Sequence, residues 1–241
     1  MLVLRDLVDL VLPVTCALCH RPGARLCRTC RGEVRACLSV DVTRCRPDPE
    51  PAGMPSCWVA GAATGALRAL VTAYKDEDRR DLAGALGALL APALRRAAAG
   101  PEARAALVGR GLLVVPVLGS PRARRRRGDV PLVSVVQAAS RALPGRVVVA
   151  PVLVPTRVTR DQSRLGAQAR ADNLAHSMAV PERREPTVRG SVCVVVDDLV
   201  TTGATLTEAA RALTDAGAAG VVAAAIGATP RRFGGGSRPI S

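Results

Sequence analysis

The 241-residue sequence has a single lysine, Lys75, and only three Phe, Trp or Tyr residues: Trp58, Tyr74 and Phe233. Proteins that bind single-stranded nucleic acids usually stack bases on aromatic side chains, so this small set disfavours a stacking platform. The chain also lacks a run of eighteen apolar residues and, at its N-terminus, the basic region and small-residue cleavage site of a secretory signal. We therefore expect a cytoplasmic protein with no membrane span.

Arginine carries almost all of the positive charge. The sequence has 34 Lys and Arg against 20 Asp and Glu, which gives a formal net charge of +14. This balance favours anionic partners, whether nucleic acids or phosphorylated small molecules. For most individual arginines, a solvated surface position is an equally good interpretation. The length suits one medium domain with a small appendage.

Four of the eight cysteines have the spacing C-x2-C-x7-C-x2-C. Two such C-x-x-C pairs can place four thiolates around one tetrahedral Zn²⁺. Four protein ligands leave no open position on the metal, so we expect a structural zinc site. Disulfides are the rival interpretation, which an intracellular location disfavours. The predicted ligands are Cys16, Cys19, Cys27 and Cys30.

The most informative stretch is VVVDDLVTTGATL, residues 194–206. Val192–Val196 is an unbroken apolar run and predicts a strand buried on both faces, as in a parallel sheet. The strand is expected to end at Asp197 and Asp198. A short turn rich in hydroxyl groups follows, and apolar residues then recur at helical spacing. The stretch thus predicts a strand, a loop and a helix in succession.

A loop at a helix N-terminus offers unpaired N–H groups and the positive end of the helix dipole, so this loop is a candidate phosphate site. Its members are Thr201, Thr202, Gly203, Ala204 and Thr205. Two adjacent carboxylates would repel a bare phosphate, but they suit hydroxyl donors or a bound cation. A ribose 5-phosphate supplies both a diol and a phosphate. The alternatives are the acidic pocket of a receiver domain and a simple helix N-cap.

Helices and strands alternate through the rest of the chain. Apolar patterns predict helices around 67–74, 82–90 and 133–143, and strands at 112–118, 146–154, 192–196 and 221–226. Such alternation implies an α/β fold, with a parallel-sheet core flanked by helices and ligands at the carboxyl ends of the strands. We predict an N-terminal zinc-binding module and linker in residues 1–57, followed by the α/β domain in residues 58–241.

The hydrophobic run, Asp197-Asp198, two spacers and Thr-Thr-Gly-x-Thr together resemble the phosphoribosyl-diphosphate (PRPP) signature of type I phosphoribosyltransferases. The order of parts over nearly the whole chain resembles the ComF family, competence-associated proteins with a cysteine knuckle and a type I phosphoribosyltransferase domain. Further matching segments are the helix Leu67 to Lys75, Arg79-Arg80-Asp81-Leu82, Val115-Pro116-Val117, Gln162 through Leu165 and Arg170-x-x-Asn173. The resemblance implies the type I phosphoribosyltransferase fold with a small four-cysteine zinc module.

The resemblance also implies roles for the site residues. Thr201–Thr205 would hold the 5-phosphate of PRPP, the two aspartates would bind the ribose hydroxyls, and Mg²⁺ would accompany PRPP. Arginines would contact the departing pyrophosphate; the candidates are Arg122 or a neighbour among Arg124, Arg125, Arg126 and Arg127, and Arg157, Arg160 and Arg164. The family link implies a role in DNA uptake, with single-stranded DNA and other competence or DNA-processing proteins as partners.

Two segments depart from the family pattern. Family members usually carry Arg-Gly-Phe-Asn-Gln after the first core strand, whereas Arg127-Gly128 is followed here by Asp129-Val130. The usual Gln-x-Gly-Leu is Gln162-Ser163-Arg164-Leu165. Both segments lie near the expected acceptor or pyrophosphate side. Two functions therefore stay open: a phosphoribosyltransferase with an unidentified acceptor, and a non-catalytic, PRPP-responsive module that binds single-stranded DNA.

Overall fold

The computed structural model describes residues 14–117, 131–156 and 176–230. Its strands are β1 Leu38–Cys45, β2 Cys57–Ala62, β3 Leu112–Pro116, β4 Val147–Val149, β5 Val154–Pro155, β6 Met178–Ala179, β7 Val192–Val200 and β8 Gly220–Ala228. Six of them form one sheet in the order β1-β2-β8-β7-β3-β4, and β5 pairs with β6 in a second, small sheet. Within the large sheet only β1 and β2 pair antiparallel, so its core is parallel as predicted.

Helices connect the strands of the large sheet. They are α1 Arg28–Ala36, α2 Gly65–Asp76, α3 Ala83–Ala97, α4 Pro101–Val108, α5 Leu132–Ser140, α6 Glu185–Val188 and α7 Ala204–Asp215, with 3-10 turns at Arg80–Leu82 and Glu182–Arg184. The helices predicted from apolar spacing, α2, α3, α5 and α7, are confirmed. The short helices α1 and α4 were not predicted, because neither carries a long apolar repeat.

The core lies around the central strands. Every residue of β3 is buried, as are Val194–Val196 and Ala223–Ile226. The abundance of alanine and glycine lets elements approach closely. At Gly87 of α3, for example, an added Cβ would lie 2.5 Å from the Cβ of Ala138 in α5, so a larger residue would push these two helices apart.

The strands differ from the predicted ones in several places. β1 and β2 were not predicted: they border a Pro- and Arg-rich stretch, and the alternation of apolar and polar residues in the edge strand β1, from Leu38 to Thr43, was overlooked. β4 is shorter than the predicted 146–154. β7 continues to Val200, so Asp197 and Asp198 lie within the strand and not after it. The reason is that β8 is equally long and pairs with β7 as far as Val200.

The cysteine segment is joined to the turn between α2 and α3 by Arg79. Its guanidinium donates to the backbone carbonyl of Thr15 at 2.9 Å and to both carboxylate oxygens of Asp81 at 2.9 Å. Arg25 lies 3.7 Å from the same carboxylate. Arg79 and Asp81, which sequence analysis noted only through a family resemblance, thus hold the N-terminal segment against the α/β domain.

No single helix in the described parts of the chain is long and apolar enough to cross a membrane. Arg80–Ala97 and Pro101–Val108 meet the length and composition requirement only as a pair, and the chain bends by 109° between them.

Candidate functional site

The candidate site lies where β3, β7 and β8 run side by side toward their carboxyl ends. Pro116 pairs with Val196, and the N–H of Val117 donates to the carbonyl of Val196 at 2.9 Å. The chain therefore leaves β3 directly beside Asp197. In open parallel sheets this edge is the usual position of ligands.

The two aspartates are held by their own backbone. The N–H of Asp198 donates to Oδ1 of Asp197 at 2.8 Å, and the N–H of Leu199 donates to Oδ1 of Asp198 at 2.7 Å. These bonds fix the orientation of both carboxylates. Oδ1 of each aspartate thus has a backbone donor.

A third charged group, Lys75, completes the cluster. Its Nζ lies 2.5 Å from Oδ2 of Asp198, and the two side chains are 37% and 13% exposed. Lys75 is in the last turn of α2, where the helix dipole also favours a cation. Burial disfavours its charge, but the carboxylates of Asp198 and Asp197 outweigh that effect and raise the pKa of Lys75. Lys75 was not predicted to belong to this site. The signal that could have indicated it is that Lys75 is the only lysine in the sequence.

The ionisation of Asp197 is poised near neutral pH. Burial raises its pKa to about 7, the charge of Asp198 adds to the rise, and Lys75 opposes it. Two adjacent carboxylates in a half-buried site resist being charged together. The ammonium of Lys75 therefore favours the charged form of this pair.

The Thr-Thr-Gly loop follows β7 and opens α7. Gly203, the residue before the helix, has φ of 79°, a left-handed conformation that favours glycine. The N–H of Ala204 donates to Oγ1 of Thr202 at 3.4 Å, a long contact that a ligand oxygen can replace. Thr201 is exposed, and Thr202 and Thr205 are half-buried. Hydroxyl and N–H groups thus meet at the positive end of α7, as a phosphate site requires.

The connector between β1 and β2, residues 46–56, packs against this loop. An added Cβ on Gly203 would lie 2.6 Å from Sδ of Met54 and 3.2 Å from Cγ of Pro47. From the sequence this stretch was assigned to the N-terminal module and linker, residues 1–57, and was not connected with the site. No local pattern could have done so, because the contact depends on β1 and β2 joining the large sheet.

On the other side of α7, Glu208 and Arg211 anchor β6. The buried Glu208 accepts the N–H of Met178 at 2.9 Å, and Arg211 donates to both of its carboxylate oxygens at 2.8 Å and to the carbonyl of Met178 at 2.8 Å. Burial opposes the charge of Glu208, but Arg211 and the Met178 N–H lower its pKa. These bonds hold β6 against α7. Neither Glu208 nor Arg211 was predicted from the sequence to have this role.

The four predicted zinc ligands lie together. The sulfur atoms of Cys16, Cys19, Cys27 and Cys30 are all within 4.8 Å of one another. The Sγ atoms of Cys19 and Cys27 are 3.7 Å apart. Two sulfurs of a tetrahedral zinc site with bonds of about 2.3 Å are about 3.8 Å apart, so this cluster could hold a zinc ion.

Backbone N–H groups favour thiolates in the cluster. The N–H of Cys27 donates to Sγ of Cys16 at 3.4 Å, and the N–H of Cys30 donates to Sγ of Cys27 at 3.5 Å. Burial opposes the ionisation of Cys16, but the N–H donors lower its pKa to about 6. Burial and the neighbouring sulfurs raise the pKa of Cys30. A divalent cation bound among the four sulfurs would offset the repulsion between the thiolates and so favour their ionised form.

Several predicted residues lie outside the described parts of the chain. They are Arg122, Arg124, Arg125, Arg126, Arg127, Arg157, Arg160, Arg164, the Gln162 to Leu165 segment and the Arg170-x-x-Asn173 segment. Two aromatic residues are described, and both are engaged within the fold. Arg96 lies 4.0 Å from the ring centre of Trp58, and the buried Tyr74 donates its hydroxyl to the carbonyl of Pro131 at 2.7 Å.

Comparison with protein families matches residues 110–232 to the model of the phosphoribosyl transferase domain. The match covers β3, β7, the Thr-Thr-Gly loop and α7, and thus all the described residues of the acid pair and phosphate loop. No curated protein matches the chain.

Proposed function

Because the chain belongs to the phosphoribosyl transferase domain family, we propose that it binds PRPP at the carboxyl end of β7. The observation that carries the proposal is the continuity of the acid pair with the loop at the N-terminus of α7. The two halves of this site match the two halves of a ribose 5-phosphate: carboxylates for the diol, and N–H and hydroxyl donors for the phosphate.

Each part of the site has a proposed task. Thr201, Thr202, Gly203, Ala204 and Thr205 hold the 5-phosphate. Asp197 and Asp198 accept hydrogen bonds from the ribose hydroxyls. In a transfer reaction they also stabilise the positive charge that develops on the ribose ring as pyrophosphate leaves. The reaction class is transfer of a phosphoribosyl group to an acceptor that the site does not identify.

Two metal ions accompany this proposal. Phosphoribosyltransferases typically use Mg²⁺, which would neutralise phosphate charge on bound PRPP. Zn²⁺ would be structural, held by the four clustered cysteines. We divide the chain into a zinc-binding module and linker, residues 1–57, and a phosphoribosyltransferase-like domain, residues 58–241, with the connector 46–56 reaching the phosphate loop.

We further propose that the protein is of the ComF type and acts in the cytoplasm during DNA uptake, with other competence or DNA-processing proteins. The order of cysteine cluster, α2 with Lys75 and PRPP signature supports this proposal. A second candidate is a non-catalytic, PRPP-responsive module for single-stranded DNA, which the departures at Asp129 and at Ser163-Arg164 favour. Since Trp58 and Tyr74 are engaged within the fold, such a module would depend on phosphate contacts.

Thermal unfolding tests PRPP binding. PRPP with Mg²⁺ should raise the melting temperature, since a ligand at about 100 times its Kd stabilises the folded state by about 2.7 kcal/mol. The double substitution Asp197→Asn and Asp198→Asn keeps the shape of both side chains and should abolish the effect. Unchanged PRPP affinity of the folded double variant, measured by calorimetry, would refute the ribose assignment.

Pyrophosphate release separates the enzyme from the binding module. The protein would be incubated with PRPP and Mg²⁺, with and without a panel of bases, nucleosides and single-stranded DNA. Acceptor-dependent release that is lost in the double variant indicates a transferase, whereas tight binding without release indicates the binding module. In parallel, DNA affinity across a salt series counts phosphate contacts, at a slope of about −0.7 per contact for single strands. A slope that flattens when Arg124–Arg127 become alanine would place the DNA contact there.

A further inference from the structure

The only lysine of a chain with 34 basic residues lies on the acid pair. In a sequence that otherwise uses arginine for positive charge, the ammonium group at this position has a distinct geometry. A guanidinium bonds a carboxylate through two parallel N–H groups, whereas an ammonium is a compact charge with three donors. Lys75 therefore engages Oδ2 of Asp198 without covering the whole carboxylate.

The contacts leave acceptor capacity on both aspartates. Oδ1 of each aspartate accepts one backbone N–H, and Lys75 occupies one position on Oδ2 of Asp198. Each carboxylate oxygen can accept about two hydrogen bonds, so the contacts made by the described residues leave capacity on every oxygen. Lys75 also changes the charge of the cluster by +1, from −2 to −1 when both carboxylates are ionised.

The positive charge of Lys75 decides whether the acid pair binds a divalent cation or a neutral sugar diol. Adjacent carboxylates without a cation are the oxygen ligands that divalent cations prefer. With an ammonium 2.5 Å from one of those oxygens, an incoming divalent cation meets like charge. A sugar diol is neutral, so it can donate to the remaining lone pairs without displacing Lys75.

We propose that Lys75 is a specificity-determining, positioning residue: it holds Asp198 in place and reserves the acid pair for the ribose hydroxyls by excluding direct binding of a divalent cation. The inference rests on the proposed ribose 5-phosphate site. It assigns the acid pair to the sugar, and leaves any Mg²⁺ to bind through the phosphate oxygens of the ligand.

Two probes test the proposal on the full chain: Mn²⁺ alone, followed by electron paramagnetic resonance, and ribose 5-phosphate, followed by calorimetry. Lys75→Met removes the charge and keeps most of the side-chain length. It should bind Mn²⁺ at least about tenfold more tightly than the wild type and ribose 5-phosphate about tenfold more weakly, the size expected for charged hydrogen bonds. Lys75→Arg, which retains the charge, should still exclude Mn²⁺.

Arg95→Met is the matched control, because Arg95 is an exposed basic residue in the last turn of α3. It removes the same charge from the chain and should leave both affinities unchanged. If Arg95→Met changes them as much as Lys75→Met does, the effect is one of net charge and the proposal fails.

A measurement on the unmutated side chain covers the case in which Lys75→Met does not fold. Labelling with ¹⁵N-lysine gives one side-chain Nζ signal, since the chain has one lysine. Adding ribose 5-phosphate should shift this signal in the wild type, and Asp198→Asn should move it toward that of a free lysine. A signal that neither change affects would overturn the proposal.

The outcomes separate the two claims. A wild type that binds neither PRPP nor ribose 5-phosphate refutes the proposed function, whatever the Mn²⁺ result. A wild type that binds ribose 5-phosphate, with a folded Lys75→Met variant of equal affinity for that ligand and for Mn²⁺, refutes the role of Lys75 and leaves the proposed function standing.

Discussion

Gly203→Ala tests the geometry of the phosphate loop independently of any ligand. Gly203 has φ of 79°, and an added Cβ would lie 2.6 Å from Sδ of Met54. The substitution therefore introduces two separate costs: backbone strain in the left-handed region, and a steric conflict with the 46–56 connector. Both costs follow from the folded structure, and each can be measured apart from the other.

The left-handed conformation costs a residue with a Cβ about 1–2 kcal/mol. The steric conflict costs less than a clash with backbone would, because Sδ is near the end of a flexible, half-buried side chain. Moving Met54 aside should add about 1 kcal/mol through lost packing. We therefore expect Gly203→Ala to lower the free energy of unfolding by about 2–3 kcal/mol.

Urea denaturation of four proteins measures both costs: the wild type, Gly203→Ala, Met54→Ala and the double variant. The steric part should disappear in the Met54→Ala background, whereas the strain should remain. Gly65→Ala is the control for strain alone, since Gly65 has φ of 40° and an added Cβ there meets nothing within 4 Å. A cost for Gly203→Ala below about 0.5 kcal/mol, the range of an ordinary surface substitution, would refute the left-handed loop.

Three further predictions concern groups whose roles differ. Because burial raises the pKa of Asp197 to about 7, the contribution of Asp197 to the free energy of unfolding is full at low pH and is lost as pH rises through about 7. Asp197→Asn should thus be more stable than the wild type at pH 8 in urea denaturation. Equal stability of the two proteins near pH 3 would support the raised pKa, and a difference that stays constant with pH would contradict it. Cys16→Ser should lose about one zinc per chain by elemental analysis, whereas Cys37→Ser, outside the cluster, should keep it. Glu208→Gln should lower the free energy of unfolding by about 2 kcal/mol. This is less than the loss expected for a fully buried ion pair, because Arg211 is 30% exposed. No change in stability would show that the bonds from Glu208 to Arg211 and to the Met178 N–H are dispensable.

The local parts of the site could be predicted from the sequence because their members are close together in the chain. The cysteine spacing brings two pairs of sulfurs to one point by a short connection, and the structure places all four within 4.8 Å. The acid pair and phosphate loop follow one another from Asp197 to Thr205, so a strand followed by a helix positions them directly. The predicted end of β7 was less accurate. The strand continues through Asp197 and Asp198 because its length depends on its pairing with β8.

The edge of the sheet could not be predicted in the same way. β1 alternates apolar and polar residues from Leu38 to Thr43, which is a strand signal, but nothing local shows that it pairs with β2 or that β2 pairs with β8. This pairing carries the 46–56 connector to Gly203. A stretch that reads as a linker in sequence thus forms one wall of the phosphate loop.

The sequence by itself determined which chemical groups are present and which of them are neighbours along the chain: four thiols, two carboxylates and a hydroxyl-rich loop at a helix start. Only the tertiary structure decided their charge. Lys75 reaches Asp198 because α2 packs with its last turn at the end of β7. Burial in that position, with one ammonium for two carboxylates, sets the pKa of Asp197. The physical reason is that desolvation and Coulomb energies depend on distances in space, which a local pattern of residues does not contain.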